Sequence, residues 1–185
     1  MRIAGKRLAF IGILMVLAGR LCGEPAAATQ DFQIPGHGTL RLAVPDGWKV
    51  NSRPLREPAS VTLHLSPNSG DRFDIQISAV WLSADQLAKT SGQSLRENMQ
   101  RAANDLLSHS VEKVATIQEI RGAESIVDSF ALTDRDPGPG EYKYLTQGTF
   151  LAGEALSAFT ILYRAPQTPE VAEAIRMFRE AMYIK

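Results

Sequence analysis

Leu40-Arg41-Leu42-Ala43-Val44-Pro45-Asp46-Gly47-Trp48-Lys49-Val50 is the stretch whose reading decides the fold. Leu40, Leu42 and Val44 alternate with Arg41 and Ala43, the pattern of a strand with one buried face. Pro45-Asp46-Gly47 ends it, because proline fixes φ and glycine supplies the dihedrals of a tight turn. Trp48 follows at once. A ring in that place can fold back and cover the end of the core, a burial that stabilises by a few kcal/mol. The other reading of Trp48 is an exposed anchor for a partner.

Upstream, Arg2, Lys6 and Arg7 precede an apolar run, Leu8 to Gly19, and Ala26-Ala27-Ala28 offers small residues for cleavage. This is the pattern of a secretory signal peptide, residues 1–28, with cleavage expected after Ala28. The run is too short to span a bilayer, which takes about 20 apolar residues. A lipoprotein signal would need a small residue just before its cysteine, whereas Leu21 and Arg20 precede Cys22. Cys22 is the single cysteine, so cleavage after Ala28 leaves no disulfide, thiolate metal site or cysteine nucleophile. Of 185 residues 157 remain, 29–185, the size of one domain. The leader removes four of 20 basic and one of 20 acidic residues, so the remainder carries a net charge of −3. A mildly acidic domain has no electrostatic footprint for nucleic acid. The expected location is the periplasm or the exterior, with no membrane span after signal removal.

Ser60 to Ser66 and Arg72 to Trp81 alternate around the turn residues Ser66 to Asp71, and predict a hairpin. Setting Leu65 against Phe73 places Leu63 against Ile75, Val61 against Ile77, and His64 beside Asp74. Ser83-Ala84-Asp85-Gln86 has the form of a capping box. Ser94 and Glu97 repeat it ahead of a helix with Leu95, Met99, Ala102 and Leu106 on one stripe. Strands are predicted over Val114–Ile120, Ala123–Leu132, Glu141–Leu151 and Leu156–Arg164, with Gly148 opposite Phe159. A closing helix opens with Thr168 as N-cap and Pro169 as first residue, and carries Val171, Ile175, Phe178 and Met182 as its apolar stripe. Short connections imply antiparallel pairing, and each one-sided helix needs a sheet to lie against. The predicted class is α+β: an antiparallel sheet of about six to seven strands flanked by two main helices.

An extended strand running into Val44-Pro45-Asp46-Gly47-Trp48, with a closing helix after the last strand, resembles the PsbP-like superfamily. That group includes a photosystem II extrinsic subunit, DcrB-like envelope proteins and many secreted bacterial proteins of unknown function. The resemblance implies an antiparallel sheet flanked by helices, in an α/β/α sandwich. It also implies binding to other proteins rather than a shared catalytic centre. No functional residue carries over, since the matching residues are architectural.

The residues themselves offer few sites. No Gly-x-Ser-x-Gly elbow is present. His37 lies between glycines in a lead-in, and His109 follows a helix end, where the partial negative charge favours it. His64 with Asp74 is the one candidate catalytic pair, an imidazole oriented by a carboxylate. The plainer reading is an ordinary cross-strand pair, which contributes under about 1 kcal/mol. Asp134, Asp136 and Glu141 fall in the loop Thr133–Gly140 and just after it, but Pro137 and Pro139 break any calcium-loop spacing. Asp134, Arg135, Asp136 and Glu141, with Trp48, are the candidate partner-binding residues, and Asn51 to Pro58 is a second recognition segment. Tyr142, Tyr144, Phe150, Phe159 and Tyr163 read as core packing. No Gly-rich phosphate loop or metal-spaced cluster appears, so no cofactor is expected. The function expected is a non-catalytic exported accessory protein that binds another envelope protein, in a chaperone-like, inhibitor or immunity role. The alternatives are a small-molecule or lipid carrier with its pocket between sheet and helix, and a hydrolase using His64.

Overall fold

The computed structural model describes residues 27–70, 72–90, 92–166 and 168–185. The strands are β1 (Ala27–Ile34), β2 (Gly38–Pro45), β3 (Trp48–Leu55), β4 (Ser60–Pro67), β5 (Phe73–Trp81), β6 (Gln118–Arg121), β7 (Ser125–Thr133), β8 (Tyr144–Ala152), β9 (Ala155–Tyr163) and β10 (Met182–Ile184). Helices α1 (Ala84–Lys89) and α2 (Gly92–Leu106) follow β5, and α3 (Pro169–Arg179) follows β9. Seven strands form one sheet in the order β3-β4-β5-β9-β8-β7-β6, and β1-β2-β10 form a second. Every pairing is antiparallel. The fold is α+β.

Alternation along each strand gives the large sheet two faces. Its inner face carries Val61, Leu63 and Leu65 of β4, Phe73, Ile75 and Ile77 of β5, Phe159 and Ile161 of β9, and Phe150 of β8, all buried. They pack against Phe32, Ile34, Leu40, Leu42 and Val44 of the small sheet and against Ala174, Met177 and Phe178 of α3. The outer face is covered only in part. There Phe130 and Leu132 of β7 meet Met99 and Ala103 of α2, with Ala115, in a separate smaller core. Arg96 of α2 reaches the same face, 2.8 Å from Glu119 and 3.3 Å from the nearly buried carboxylate of Asp128.

Several readings of the sequence differ from the structure. The β4–β5 register is two residues away from the predicted one: Leu65 faces Ile75, Leu63 faces Ile77 and His64 faces Gln76. A shift of two keeps every side chain on its own face, so alternation cannot detect it. His64 and Asp74 are therefore not directly opposed. Asp74 instead lies 4.0 Å from Arg72. Asn51–Leu55 belongs to an edge strand rather than a loop, and α2 starts at Gly92 rather than Ser94. Val114 lies outside β6, and Met182 has left the helix to pair with Arg41 of β2. The reading of residues 1–26, Cys22 included, falls outside the described residues. Ala27 and Ala28 are exposed first rungs of β1.

His37 has a definite place. Its ring stacks on Trp81 at 3.8 Å, and the Trp81 indole donates to Glu154 at 3.1 Å. Lys185 reaches the same carboxylate at 2.6 Å, and the Tyr183 hydroxyl donates to the His37 carbonyl. These contacts tie the small sheet and the last strand to the far end of the large one.

Gly148 stands opposite Phe159, as the sequence suggested. A Cβ there would meet the Asp128 carbonyl oxygen at 2.2 Å and the Phe159 ring at 2.6 Å. Backbone cannot yield cheaply, so Gly148→Ala is expected to cost about 1–3 kcal/mol. Chemical denaturation would check this: a lowered midpoint at unchanged slope is the expected outcome.

Candidate functional site

At one end of the large sheet β7 stops at Thr133 and β8 starts at Tyr144. The loop between them, residues 134–143, is built on the ends of rigid strands, the usual setting for recognition. Its backbone is held at both sides. Asp134 donates its N–H to the Lys143 carbonyl at 2.8 Å, and Arg135 donates to the His109 carbonyl at 3.0 Å. The Arg135 guanidinium grips the Ser110 carbonyl at 2.7 and 3.2 Å. The Asp136 N–H donates to the Asp134 carboxylate at 3.0 Å, and the Gly138 N–H to Glu141 at 2.9 Å. Arg72 donates to the Tyr142 hydroxyl at 2.8 Å and, together with Arg164, to the Gly140 carbonyl.

Three of the four charged residues read from the sequence thus use their side chains to fix the loop. Asp134 and Glu141 accept from backbone N–H groups, and Arg135 donates to a backbone carbonyl. The loop arrives ordered, which lowers the entropic cost of binding anything against it.

Beside the loop is a cleft of about 210 Å³. Leu106 from the end of α2, Leu132 of β7, Leu145 of β8 and Leu162 of β9 give it apolar walls, and His109, Asp134 and Lys143 stand among its lining residues. The cleft exists because α2 covers β7 and part of β8 and then ends. Ser110 lines it and begins the connection to β6. On that connection Val111 is 55% exposed and Val114 is 75% exposed. Sequence reading passed over both, since an alternating Val114–Ile120 strand would have turned Val114 inward. Glu112 and Lys113 between the two valines were the available sign of a surface segment.

Trp48 sits at the same end of the sheet but on the inner face. It is half-buried, packs against the main core and meets Phe73 edge-on at 5.6 Å. The structure therefore separates Trp48 from the loop. His64 and Asp74 are exposed on the outer face and line neither this cleft nor the loop. Among the described residues no group of three or more His, Cys, Asp or Glu side chains is placed to hold a metal. No helix among them is long and apolar enough to cross a membrane.

No family model matches this chain, and no curated protein does. In structure it is similar to cyanobacterial PsbP from Synechocystis, at 10% identity and a TM-score of 0.49, over 88% of this chain and 96% of that one.

Glu112 anchors the exposed connection. Its carboxylate accepts from the Thr133 N–H at 2.8 Å and from the Thr133 hydroxyl at 2.8 Å. Burial pushes its pKa up, but the hydrogen bonds it accepts, those from Thr133 foremost with its own N–H and Ser110 adding, together outweigh this and leave it below the usual glutamate value of 4.5. A pKa depressed by folding adds stability above the unfolded value and loses it as pH falls through the folded value. Glu112→Ala should cost about 1–3 kcal/mol at neutral pH. Thermal melts of both proteins check this: the gap should close as pH drops below 4.5.

Proposed function

We propose that this is an exported, non-catalytic accessory protein that binds another protein of the cell envelope through the cleft beside the 134–143 loop. The observation that carries this reading is the apolar cleft with exposed Val111 beside it, next in the chain to the lining residue Ser110 and donating its N–H to the carbonyl of the lining residue Thr133 at 2.9 Å. Contiguous exposed apolar surface with a polar rim is characteristic of protein interaction sites. The partner would insert a large apolar side chain between Leu106, Leu145 and Leu162 and lay its flank over Val111. His109, Lys143 and Asp134 offer polar contacts at the edge. An ordered loop suits a chaperone-like or inhibitor role, where one partner is held in one register. The export proposal rests on the residues Arg2 to Ala28, and the location is the periplasm or the exterior.

Site-specific photocrosslinking in living cells tests this. A photoreactive residue at position 111 should capture one dominant partner, and one at Ser78, exposed on the open sheet face, should not. Leu145→Glu should reduce capture about tenfold or more, the effect of some 1.4 kcal/mol, while the protein stays folded. No adduct from position 111 in an abundant, folded protein, or equal capture from both positions, would overturn the reading.

A further inference from the structure

A diagonal of hydrogen-bonding side chains crosses the inner face of the large sheet near its β6 edge. Gln118 of β6 stands opposite Ser129 of β7, and Ser129 stands opposite Gly148 of β8. Thr146, two residues along β8, shares this face, and its Oγ1 lies 3.2 Å from the hydroxyl of Tyr163 on β9. Ser129, Thr146 and Tyr163 are only 4%, 6% and 8% exposed. Elsewhere the inward positions of these strands are mostly aliphatic or aromatic.

These groups line a groove of about 270 Å³ between α3 and strands β6 to β8. Ile120, Ala131, Val171 and Ile175 form its apolar walls, and no residue lining it is charged. Helix α3 leaves Val171 and Ile175 half-buried here, and Ala131 exposed at the lip. A site shaped only for cohesion gains nothing from hydroxyls, which fill less volume than aliphatic groups and cost free energy to bury unless bonded. The Thr146–Tyr163 contact uses one hydroxyl proton, so the second O–H remains a donor. Apolar walls with a few convergent polar groups are the make-up of a small-molecule site. An ionised ligand would lose its hydration there and find no opposite charge.

We propose that this groove binds a neutral, largely apolar small molecule carrying a hydrogen-bond acceptor, such as a carbonyl, that meets the Thr146–Tyr163 hydroxyls. The groove is independent of the protein-binding cleft. Leu145 and Leu162 are the chain neighbours of Thr146 and Tyr163, and alternation points them to the opposite face.

The test uses phenylnaphthylamine, a neutral probe that fluoresces in apolar surroundings, with acetylnaphthalene and naphthoate as competitors sharing one ring system. The expected result is saturable binding that acetylnaphthalene displaces at about tenfold lower concentration than naphthoate. Ala131→Trp, at an exposed position, should block the groove and weaken probe binding about tenfold or more. Thr146→Val should weaken acetylnaphthalene more than the probe. Leu145→Glu should change neither. Absence of saturable binding, equal displacement by naphthoate, unaltered binding to Ala131→Trp, or loss in Leu145→Glu would each overturn the proposal.

Discussion

Three phenylalanines hold the two halves of the molecule together, and much of the structure depends on them. Phe178 of α3 lies 4.3 Å from Phe159 and 5.1 Å from Phe150, centroid to centroid, the last pair stacked within 9°. The three rings are buried. Phe159 reaches this position by leaning over Gly148, where any side chain would collide with it. The contact fixes α3 across the inner face. Ser125 then closes the helix end, its one O–H shared between the carbonyls of Phe178 at 2.9 Å and Arg179 at 2.6 Å. The chain leaves α3 aimed at β2, so β10 can join the small sheet.

Placing α3 there also sets what is left open. The helix and the small sheet seal the inner face over β4, β5, β9 and the halves of β8 and β7 that carry Phe150 and Val127. Toward Gln118, Ala131 and Thr146 the cover thins, and the uncharged groove lies there. On the outer face α2 seals only β7 and its neighbour. The cleft lies where that helix ends, and the sheet beyond it, with His64, Gln76 and Ser78, faces solvent. An antiparallel sheet tolerates this because its outward residues are polar. Two sites on opposite faces of the same strands thus follow from two helices that each cover less than a full sheet.

The loop at the cleft illustrates how its charges are used. Surface ion pairs contribute little on their own. Here Arg72, Arg135 and Arg164 bond backbone carbonyls instead, and Asp134 and Glu141 bond backbone N–H groups. Hydrogen bonds with one charged partner are stronger than neutral ones; the arginines join parts of the chain far apart in sequence, and the two carboxylates brace the loop locally. Thr133 and Glu112 extend the same scheme to the valine-bearing segment.

The sequence by itself determined the strands β2, β4, β5, β8 and β9, the capping box at Ser83, the helix start at Pro169, where Thr168 precedes the helix without a side-chain cap bond, and the pairing of Gly148 with Phe159. Each is written in a local period or a cap, and such signals survive without knowledge of the rest of the chain. It also drew attention to the Asp134–Glu141 loop through its turn residues. Strands β1, β3 and β10 were not legible. β3 is exposed along Asn51–Leu55 and contains Pro54, and β10 is three residues long; each is a strand because a neighbour supplies the hydrogen bonds. The β4–β5 register was hidden because a slip of two residues leaves the pattern unchanged. Leu145 has Tyr144 beside it and Leu162 stands between Ile161 and Tyr163, so nothing local separates the two leucines from the core. Only the tertiary structure decided that they line a cleft and Thr146 and Tyr163 a groove, because coverage of a sheet face depends on where distant helices begin and end.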